Sequence, residues 1–292
     1  DTKPDADFLA SLASWGAQPA GHLGFMQDNT TALAQSTLKT KLAIYDATIH
    51  GVDQVIEDLQ LQLERWQLAG STLFSMFADH GEEFLDHLGF ARQWNHDPRE
   101  VRGIGHGHTH FQELLHVPWV AWGSGVPAGV RQAQPISLCD LSPTILDWLE
   151  LPSMQQAALQ QQLEPLSPEL KQHLLGRSQS LKSDDPSLDN ERLILSEALA
   201  YGPDLVAIRK GFWKMIARRD GFALGMFDLI NDPHETHDVQ DENAELVVQF
   251  QDILEQWRAS GTGATDSGSH SDSWDDMNDT VRQRLRDLGY SD

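Results

Sequence analysis

The tripeptide Asp79-His80-Gly81, which directly follows the apolar run 73–78, has the clearest chemistry in the sequence. Such a run predicts a buried strand, and open α/β sheets bind their ligands at the carboxyl ends of buried strands. A carboxylate and an imidazole are both metal ligands, and a glycine behind them permits a tight turn. The alternative is a simple strand-end turn, in which Asp79 caps backbone amides and His80 lies at the surface.

A second group of candidate ligands lies in the segment 84–110, which we interpret as a polar loop. It contains His87, His96, His106, His108 and His110. The last three stand at alternate positions, and we expect either His106 and His110, or else His108, to share a site with Asp79. A single histidine in such a loop is more often solvated. Several of them near a strand-end carboxylate indicate metal or anion binding.

Other catalytic motifs are missing from the sequence. There is no Gly-x-Ser-x-Gly elbow of a serine hydrolase, and Gly123-Ser124-Gly125 is better explained as the exit from a strand. A glycine-rich phosphate loop is also missing. Glu82 and Glu83 could act as general acid and base, although such neighbours in the first turn of a helix usually complement its dipole. The single Cys139 excludes an internal disulfide framework and a cysteine-rich zinc site.

The composition is that of an acidic globular protein. The 292 residues include 21 Lys and Arg against 44 Asp and Glu, for a formal net charge of −23. This charge disfavours nucleic acid and anionic membranes as partners, because both require attraction to phosphate groups. An anion-binding pocket is still possible, since a bound divalent cation can dominate the local field. No apolar run reaches the length of a bilayer span, so we expect no membrane insertion.

The hydrophobic pattern predicts the elements that position these groups. Apolar residues recur at steps of three and four over 38–66 and predict a long helix that ends at Ala69-Gly70. A coiled coil is the alternative to a helix packed on a sheet. Strands are predicted at 73–78 and 117–122, and a helix over 136–149 with Ser142 as its N-cap. This order of elements is typical of an α/β domain.

The remainder of the chain predicts a smaller unit. The segment 153–190 is rich in Gln and Ser and weakly patterned, so we interpret it as a linker or insertion. Four short strands are predicted, over 193–197, 205–209, 213–217 and 225–228. Turn signals between these runs favour a small antiparallel sheet. Helices are predicted over 244–257 and 280–288.

Several short motifs stand in a specific order along most of residues 40–290. They are Tyr45-Asp46-Ala47-Thr48-Ile49, Ala78-Asp79-His80-Gly81-Glu82-Glu83, Gly105-His106-Gly107-His108-Thr109, Ser137-Leu138-Cys139-Asp140-Leu141-Ser142-Pro143-Thr144, Arg209-Lys210-Gly211-Phe212-Trp213-Lys214, Phe227-Asp228-Leu229-Ile230-Asn231-Asp232-Pro233-His234-Glu235 and Leu285-Arg286-Asp287-Leu288-Gly289-Tyr290. In this order they resemble the second half of the sulfatases of the alkaline phosphatase superfamily. The resemblance implies part of an alkaline-phosphatase-like α/β/α sandwich over 1–152, the linker over 153–190, and an α+β subdomain with a short antiparallel sheet over 191–292.

The resemblance also implies the chemistry of sulfate-ester hydrolysis. In such enzymes a divalent cation, most often calcium, binds the sulfate group and a formylglycine nucleophile. By position in the motifs, Asp79 and His80 would be metal ligands, and His106 would hold a sulfate oxygen, with His108 as the alternative. The imidazole of His80 leaves the metal open, because calcium prefers oxygen ligands while manganese tolerates imidazole better. Magnesium is the other alternative.

The sequence departs from the family pattern in one important respect. It contains no Cys-x-Pro-Ser-Arg or Ser-x-Pro-Ser-Arg motif, and Cys139 belongs to a different motif and is not the nucleophile. We therefore expect a C-terminal portion of a sulfatase that is inactive alone and contacts a missing N-terminal half or another chain. A sulfated small molecule or glycan is the expected substrate, and the resemblance favours a periplasmic or extracellular location.

Two alternatives remain open for the function. The first is a catalytically inactive sulfatase-like module that binds a protein partner or a sulfated glycan. The second is a phosphonate or phosphodiester hydrolase of the same superfamily.

Overall fold

The computed structural model describes residues 32–90, 103–132, 134–151, 192–197 and 204–259, together with isolated positions between 167 and 178. Side chains are described from residue 38 onwards. Several predictions fall outside these residues, namely the last helix over 280–288, most of the linker 153–190, and His96.

Helix α1 spans Ala32–Arg65 and confirms the predicted long helix. It ends where Gln67 takes a φ of 60° and the amide of Leu68 donates to the carbonyl of Leu63 at 2.9 Å. A left-handed residue just after the last turn is a common way to end a helix. The apolar face of α1 is largely exposed, with Ile49 at 57% of its possible exposure.

Strands β1 (Leu73–Phe77) and β4 (Trp119–Gly123) form a two-stranded antiparallel sheet. The rings of Phe74 and Trp122 stack across the pair with centroids 4.8 Å apart. The prediction of two buried strands is wrong, because the residues of β1 and β4 are half-buried or exposed. Within the described part of the chain, neither strand pairs with a further one that would cover it.

Strands β2 (Glu83–Phe84) and β3 (Ile104–Gly105) form a second antiparallel pair, inside the segment that was predicted to be a loop. Glu83 lies opposite Gly105 in this pair. Glu83 is therefore part of a strand, and the prediction that Glu82 and Glu83 begin a helix is wrong. The short helix α2 (Gln112–Leu115) follows β3.

Helix α3 (Leu141–Trp148) follows a 3-10 turn, Leu138–Asp140. This turn starts with a capping box, in which the side chain of Ser137 accepts a backbone amide of the turn and the Asp140 carboxylate accepts the amide of Ser137. Ser142, the predicted N-cap, lies inside α3. The N-cap is instead Ser137, because the first backbone amides of the 3-10 turn need hydrogen-bond acceptors.

The predicted small antiparallel sheet is confirmed. Its strands are β5 (Leu193–Glu197), β6 (Leu205–Lys210), β7 (Trp213–Arg218) and β8 (Ala223–Asp228), paired in sequential order. Helix α4 (Ala244–Ala259) follows. Within the described ranges, none of the helices combines the length and the apolarity needed to cross a bilayer.

Both faces of this sheet are covered by apolar side chains. One face packs against α4 through Phe250 and Leu254. The other packs against Phe111, which is 1% exposed and immediately precedes α2. Successive side chains of β6 lie on opposite faces of the sheet. Leu205 packs with Phe111, and Val206 packs on the face covered by α4. The C-terminal sheet thus supports the segment that contains the histidine motif.

Candidate metal site

Three potential ligands converge just beyond β1. One ligand atom each from His80, Glu82 and His106 lies within 4.8 Å of the other two. The rings of His80 and His106 stack with centroids 4.0 Å apart. The β2–β3 pairing places Glu83 opposite Gly105, and it thereby brings the preceding Glu82 close to the following His106. Two imidazoles and a carboxylate are a donor set that suits a divalent metal ion.

Hydrogen bonds orient both imidazoles of this cluster. Nδ1 of His80 lies 2.8 Å from the carbonyl oxygen of Gly81, and Nδ1 of His106 lies 2.8 Å from Oε2 of Glu82. Each Nδ1 therefore donates a proton, because a carbonyl and an ionised carboxylate only accept. In the neutral rings Nε2 keeps its lone pair for a ligand. Metal-binding histidines are commonly oriented by such a hydrogen bond from the second nitrogen.

Asp79 lies at the rim of this cluster. Its side chain is 80% exposed, and its Oδ1 is 3.7 Å from Nε2 of His80. The same oxygen accepts the backbone amide of His80 at 2.9 Å. The local hydrogen bond is thus the one expected for a strand-end turn, and Asp79 is not one of the three converging ligands.

His108 has a different environment. It is 1% exposed, and its Nε2 lies 2.6 Å from Oε2 of Glu83, which is itself fully buried. The other oxygen of Glu83 accepts the backbone amide of His87 at 3.2 Å. His108 and Glu83 therefore form a buried pair behind the cluster, whereas His106 lies inside it.

His110 points away from the cluster towards the C-terminal sheet. It is 3% exposed, and its Nε2 donates to the carbonyl of Leu205 at 3.1 Å. Burial, together with the smaller effect of the charge of Lys214, lowers the pKa of His110 to about 4, although the hydrogen bond to Leu205 opposes them. The expectation that His106 and His110 share a site is wrong. A φ of 79° at Gly107 turns the backbone between them.

His87 joins the site segment to the C-terminal chain. Its ring stacks on Phe111 at 3.6 Å, its Nδ1 lies 2.7 Å from Oε1 of Glu113, and its Nε2 lies 3.0 Å from the carbonyl of His234. Burial alone lowers the pKa of His87, but the hydrogen bond and charge of Glu113 and the charge of Glu235 together raise it. In the sequence His87 is only one of five histidines in the predicted loop, because its partners are distant along the chain.

Helix α1 adds two titratable groups near Glu82. Burial lowers the pKa of Lys41, and the charge of Glu82 opposes this effect. Burial raises the pKa of Tyr45, and Glu82 adds to it. The ring of Tyr45 also meets the ring of Phe84 edge-on, with centroids 5.3 Å apart. The middle of α1 therefore lies beside the cluster and contributes to its electrostatic environment.

Gly81 is required by a close approach between two segments of backbone. Its amide donates to the carbonyl of Leu114 at 2.9 Å. A Cβ atom at this position would lie 1.8 Å from the carbonyl oxygen of Glu113. The residue that follows His80 is thus packed directly on helix α2.

We expect Gly81→Ala to lower the free energy of unfolding by about 1–3 kcal/mol, because the methyl group must displace the backbone of α2. Urea unfolding measures this change. Gly51→Ala is the matched control, since a Cβ there meets nothing within 4 Å and alanine favours the helix. Equal unfolding midpoints for Gly81→Ala and the unmodified chain would contradict the close approach.

Residues 16–151 match the protein-family model described as Sulfatase. The chain is therefore similar to the sulfatases over this part of its length. It is 26% identical to human arylsulfatase K over 233 residues, which are 78% of this chain and 38% of that relative. It is also 26% identical to arylsulfatase K of Bos taurus over 215 residues, which are 72% of this chain and 35% of that relative.

Solved structures share the fold of this chain. BT4656, solved in complex with its substrate D-glucosamine-2-N,6-O-disulfate, superposes with a TM-score of 0.53 at 17% identity, over 77% of this chain and 41% of that one. Ps i-CgsB, solved with a neocarrahexaose, gives a TM-score of 0.51 at 20% identity, over 82% of this chain and 46% of that one. This likeness shows that the chain shares the α/β fold of these two proteins. The chain spans less than half the length of the relatives it matches.

Proposed function

We propose that this chain supplies two parts of a sulfate-ester hydrolase, namely a metal loop, which is residues 79–81, and a sulfate-contacting histidine. The convergence of His80, Glu82 and His106 beyond β1 supports the proposal. Asp79 and His80 would hold a divalent cation, with Glu82 beside them. When bound, that cation would supply Lewis-acid polarisation of the sulfate group. Because sulfatases are typically secreted or lysosomal, a periplasmic or extracellular location is part of the proposal.

We assign the sulfate contact to His106 and not to His108. The Nδ1 proton of His106 is directed at Glu82, which leaves Nε2 for an anionic oxygen when the ring is protonated. His108 has its Nε2 on Glu83 and is only 1% exposed. The buried pair of His108 and Glu83 would then hold the two segments that carry His106 and Glu82.

Metal binding tests the first part of the proposal. We expect His80→Ala to weaken binding of Mn²⁺ by at least about tenfold, because it removes one of few protein ligands. Isothermal titration calorimetry with Mn²⁺ and with Ca²⁺ measures the dissociation constants and decides between the ions. The imidazole donors favour Mn²⁺, whereas calcium would rely on Asp79 and Glu82. His50→Ala is the control, because His50 is exposed on α1. Equal binding by His80→Ala and the unmodified chain would overturn this assignment.

An exposed apolar surface on this chain supports the proposal that the chain binds another polypeptide. Large apolar side chains on α1 and on the β1–β4 pair are exposed, namely Leu42, Tyr45, Ile49, Val52, Leu59, Trp66, Met76, Phe77 and Val120. Soluble proteins rarely expose so many together, and unpaired strand edges attract further strands. We propose that this surface binds the polypeptide that carries the formylglycine motif, which is missing from this sequence.

Reconstitution tests the partner and the activity together. The 292-residue chain is assayed with 4-nitrophenyl sulfate and with a sulfated disaccharide, alone and after coexpression with a nucleophile-bearing sulfatase segment. We expect turnover only in the presence of both polypeptides. Turnover by this chain alone would overturn the proposed incompleteness. Exclusive turnover of a phosphonate ester would instead support the superfamily alternative.

The apolar surface is tested by substitution. We expect Ile49→Glu and Val52→Glu to prevent association with the coexpressed segment in size-exclusion chromatography. Val248→Glu is the matched control, because Val248 is equally exposed on α4, outside the proposed surface. Association that survives both α1 substitutions would exclude this surface.

A further inference from the structure

Glu235 is a buried carboxylate in an unusual backbone conformation. It is 2% exposed and has a φ of 52°, a region that residues other than glycine adopt only when the surroundings hold them there. Its Oε1 lies 2.6 Å from Nζ of Lys214, which is 1% exposed. The buried ion pair fixes the carboxylate on the C-terminal sheet, because Lys214 belongs to β7.

The second oxygen of Glu235 reaches the segment that carries the candidate site. Oε2 accepts the backbone amide of Gln112, the first residue of α2, at 2.6 Å. A further bond supports this junction, since Nε2 of His87 lies 3.3 Å from the carbonyl oxygen of Glu235. The start of α2 is thus attached to the C-terminal chain by main-chain and side-chain contacts.

The other end of α2 contacts the metal loop. The carbonyl of Leu114 accepts the amide of Gly81 at 2.9 Å, and the carbonyl of Glu113 lies where a side chain at Gly81 would have to be. The carbonyl of Gly81 in turn accepts Nδ1 of His80. A displacement of α2 would therefore move Gly81 and rotate the imidazole of His80.

We infer that Glu235 is a positioning residue, which acts through α2 to hold the loop of His80 and Gly81 in the geometry required for metal binding. It touches neither substrate nor metal. The inference rests on the proposed function in one respect, because the consequence for metal binding requires His80 to be a ligand. The mechanical link from Glu235 to Gly81 stands on the hydrogen bonds alone.

Hydrogen exchange of the Gly81 amide measures this link directly. We expect the Gly81 amide to exchange at least about fivefold faster in Glu235→Ala, relative to the amide of Ile216 in β7, which reports global unfolding. Gln112→Pro is the second variant. It removes the amide that Glu235 accepts, at the first position of a helix, where proline is tolerated. We expect the same increase.

Conservative variants should restore protection. Gln112→Ala retains the amide, and the double variant Lys214→Met/Glu235→Gln retains an oxygen acceptor without an unpaired charge. We expect both to exchange at Gly81 as the unmodified chain does. Arg192→Met is the structural comparator, because it breaks a different buried ion pair, between Arg192 and Asp140. We expect Arg192→Met to increase the exchange rates of the Gly81 and Ile216 amides by the same factor.

Titration with Mn²⁺ provides the second measurement. We expect Glu235→Ala and Gln112→Pro to weaken Mn²⁺ binding by about tenfold, and the conservative variants to bind normally. Unchanged Gly81 exchange in both disruptive variants would overturn the inference. Faster exchange in a chain whose unmodified form binds neither Mn²⁺ nor Ca²⁺ would retain the positional link and overturn the proposed metal site. The ratio of the Gly81 exchange rate to the Ile216 exchange rate is the quantity compared. If Arg192→Met and Glu235→Ala raise this ratio equally, Glu235 has only a structural role.

Discussion

Replacement of Arg192 by methionine is expected to lower the free energy of unfolding by about 3–5 kcal/mol. Nη2 of Arg192 donates to Oδ1 of Asp140 at 2.6 Å, and Nη1 donates to Oδ2. Asp140 is fully buried and Arg192 is 7% exposed. Removal of the guanidinium leaves the buried carboxylate without its cation, although the amide of Ser137 still donates to it.

Urea unfolding at pH 7 measures this effect. The matched control is Arg218→Met, because the pair of Arg218 with Asp220 is about half exposed and is expected to contribute less than about 1 kcal/mol. The double variant Arg192→Met/Asp140→Asn should recover a large part of the loss, since it removes the unpaired charge. A similar small loss for Arg192→Met and Arg218→Met would show that the pair is not buried in solution.

Acidification should destabilise the fold by about 3 kcal/mol between pH 6.5 and about 4 through His110 alone. Burial lowers the pKa of this residue to about 4 from its ordinary value of 6.5, and Lys214 contributes to the change. Below pH 6.5 the unfolded chain therefore binds a proton that the folded chain does not bind. Stability falls as the pH decreases through this range.

The urea midpoint as a function of pH tests this prediction. His110→Gln is the informative variant, because its amide can still donate to the carbonyl of Leu205 but does not titrate. We expect its acid limb to be flatter than that of the unmodified chain. Parallel acid limbs in the two proteins would exclude a neutral, buried His110.

The contribution of His87 to stability has the opposite pH dependence from that of His110, and it changes at higher pH. Glu113 and Glu235 overcome its burial and raise its pKa. Its contribution to stability is therefore complete below its unfolded pKa and is lost as the pH rises through its folded pKa. The two histidines together favour maximal stability near pH 6.5. His87→Gln should flatten the alkaline side only.

Local patterns were sufficient for much of the fold. The recurrence of apolar residues predicted α1, and short apolar runs separated by turn signals predicted the four strands of the C-terminal sheet. These predictions succeeded because periodicity and turn chemistry act between near neighbours in sequence. The burial of β1 and β4 could not be predicted in this way, because it depends on which other strands are present to cover them.

The candidate site was also only partly predictable from the sequence. The residue types of Asp79, His80 and His106 were enough to predict metal and anion chemistry. The residue types did not predict which of these side chains lie together. The partner of His106 is Glu82 rather than His110, because β2 pairs with β3 and the backbone turns at Gly107.

The sequence by itself determined the resemblance to the sulfatases, most of the helices and strands, and the residue types available for chemistry. Only the tertiary structure decided which histidine faces the metal loop, which is buried against Glu83, and which reaches the C-terminal sheet. It alone connects Glu235 to Gly81 through α2. The physical reason is distance along the chain. Glu235 and Gln112 are 123 positions apart, and no local pattern encodes a hydrogen bond across such a separation.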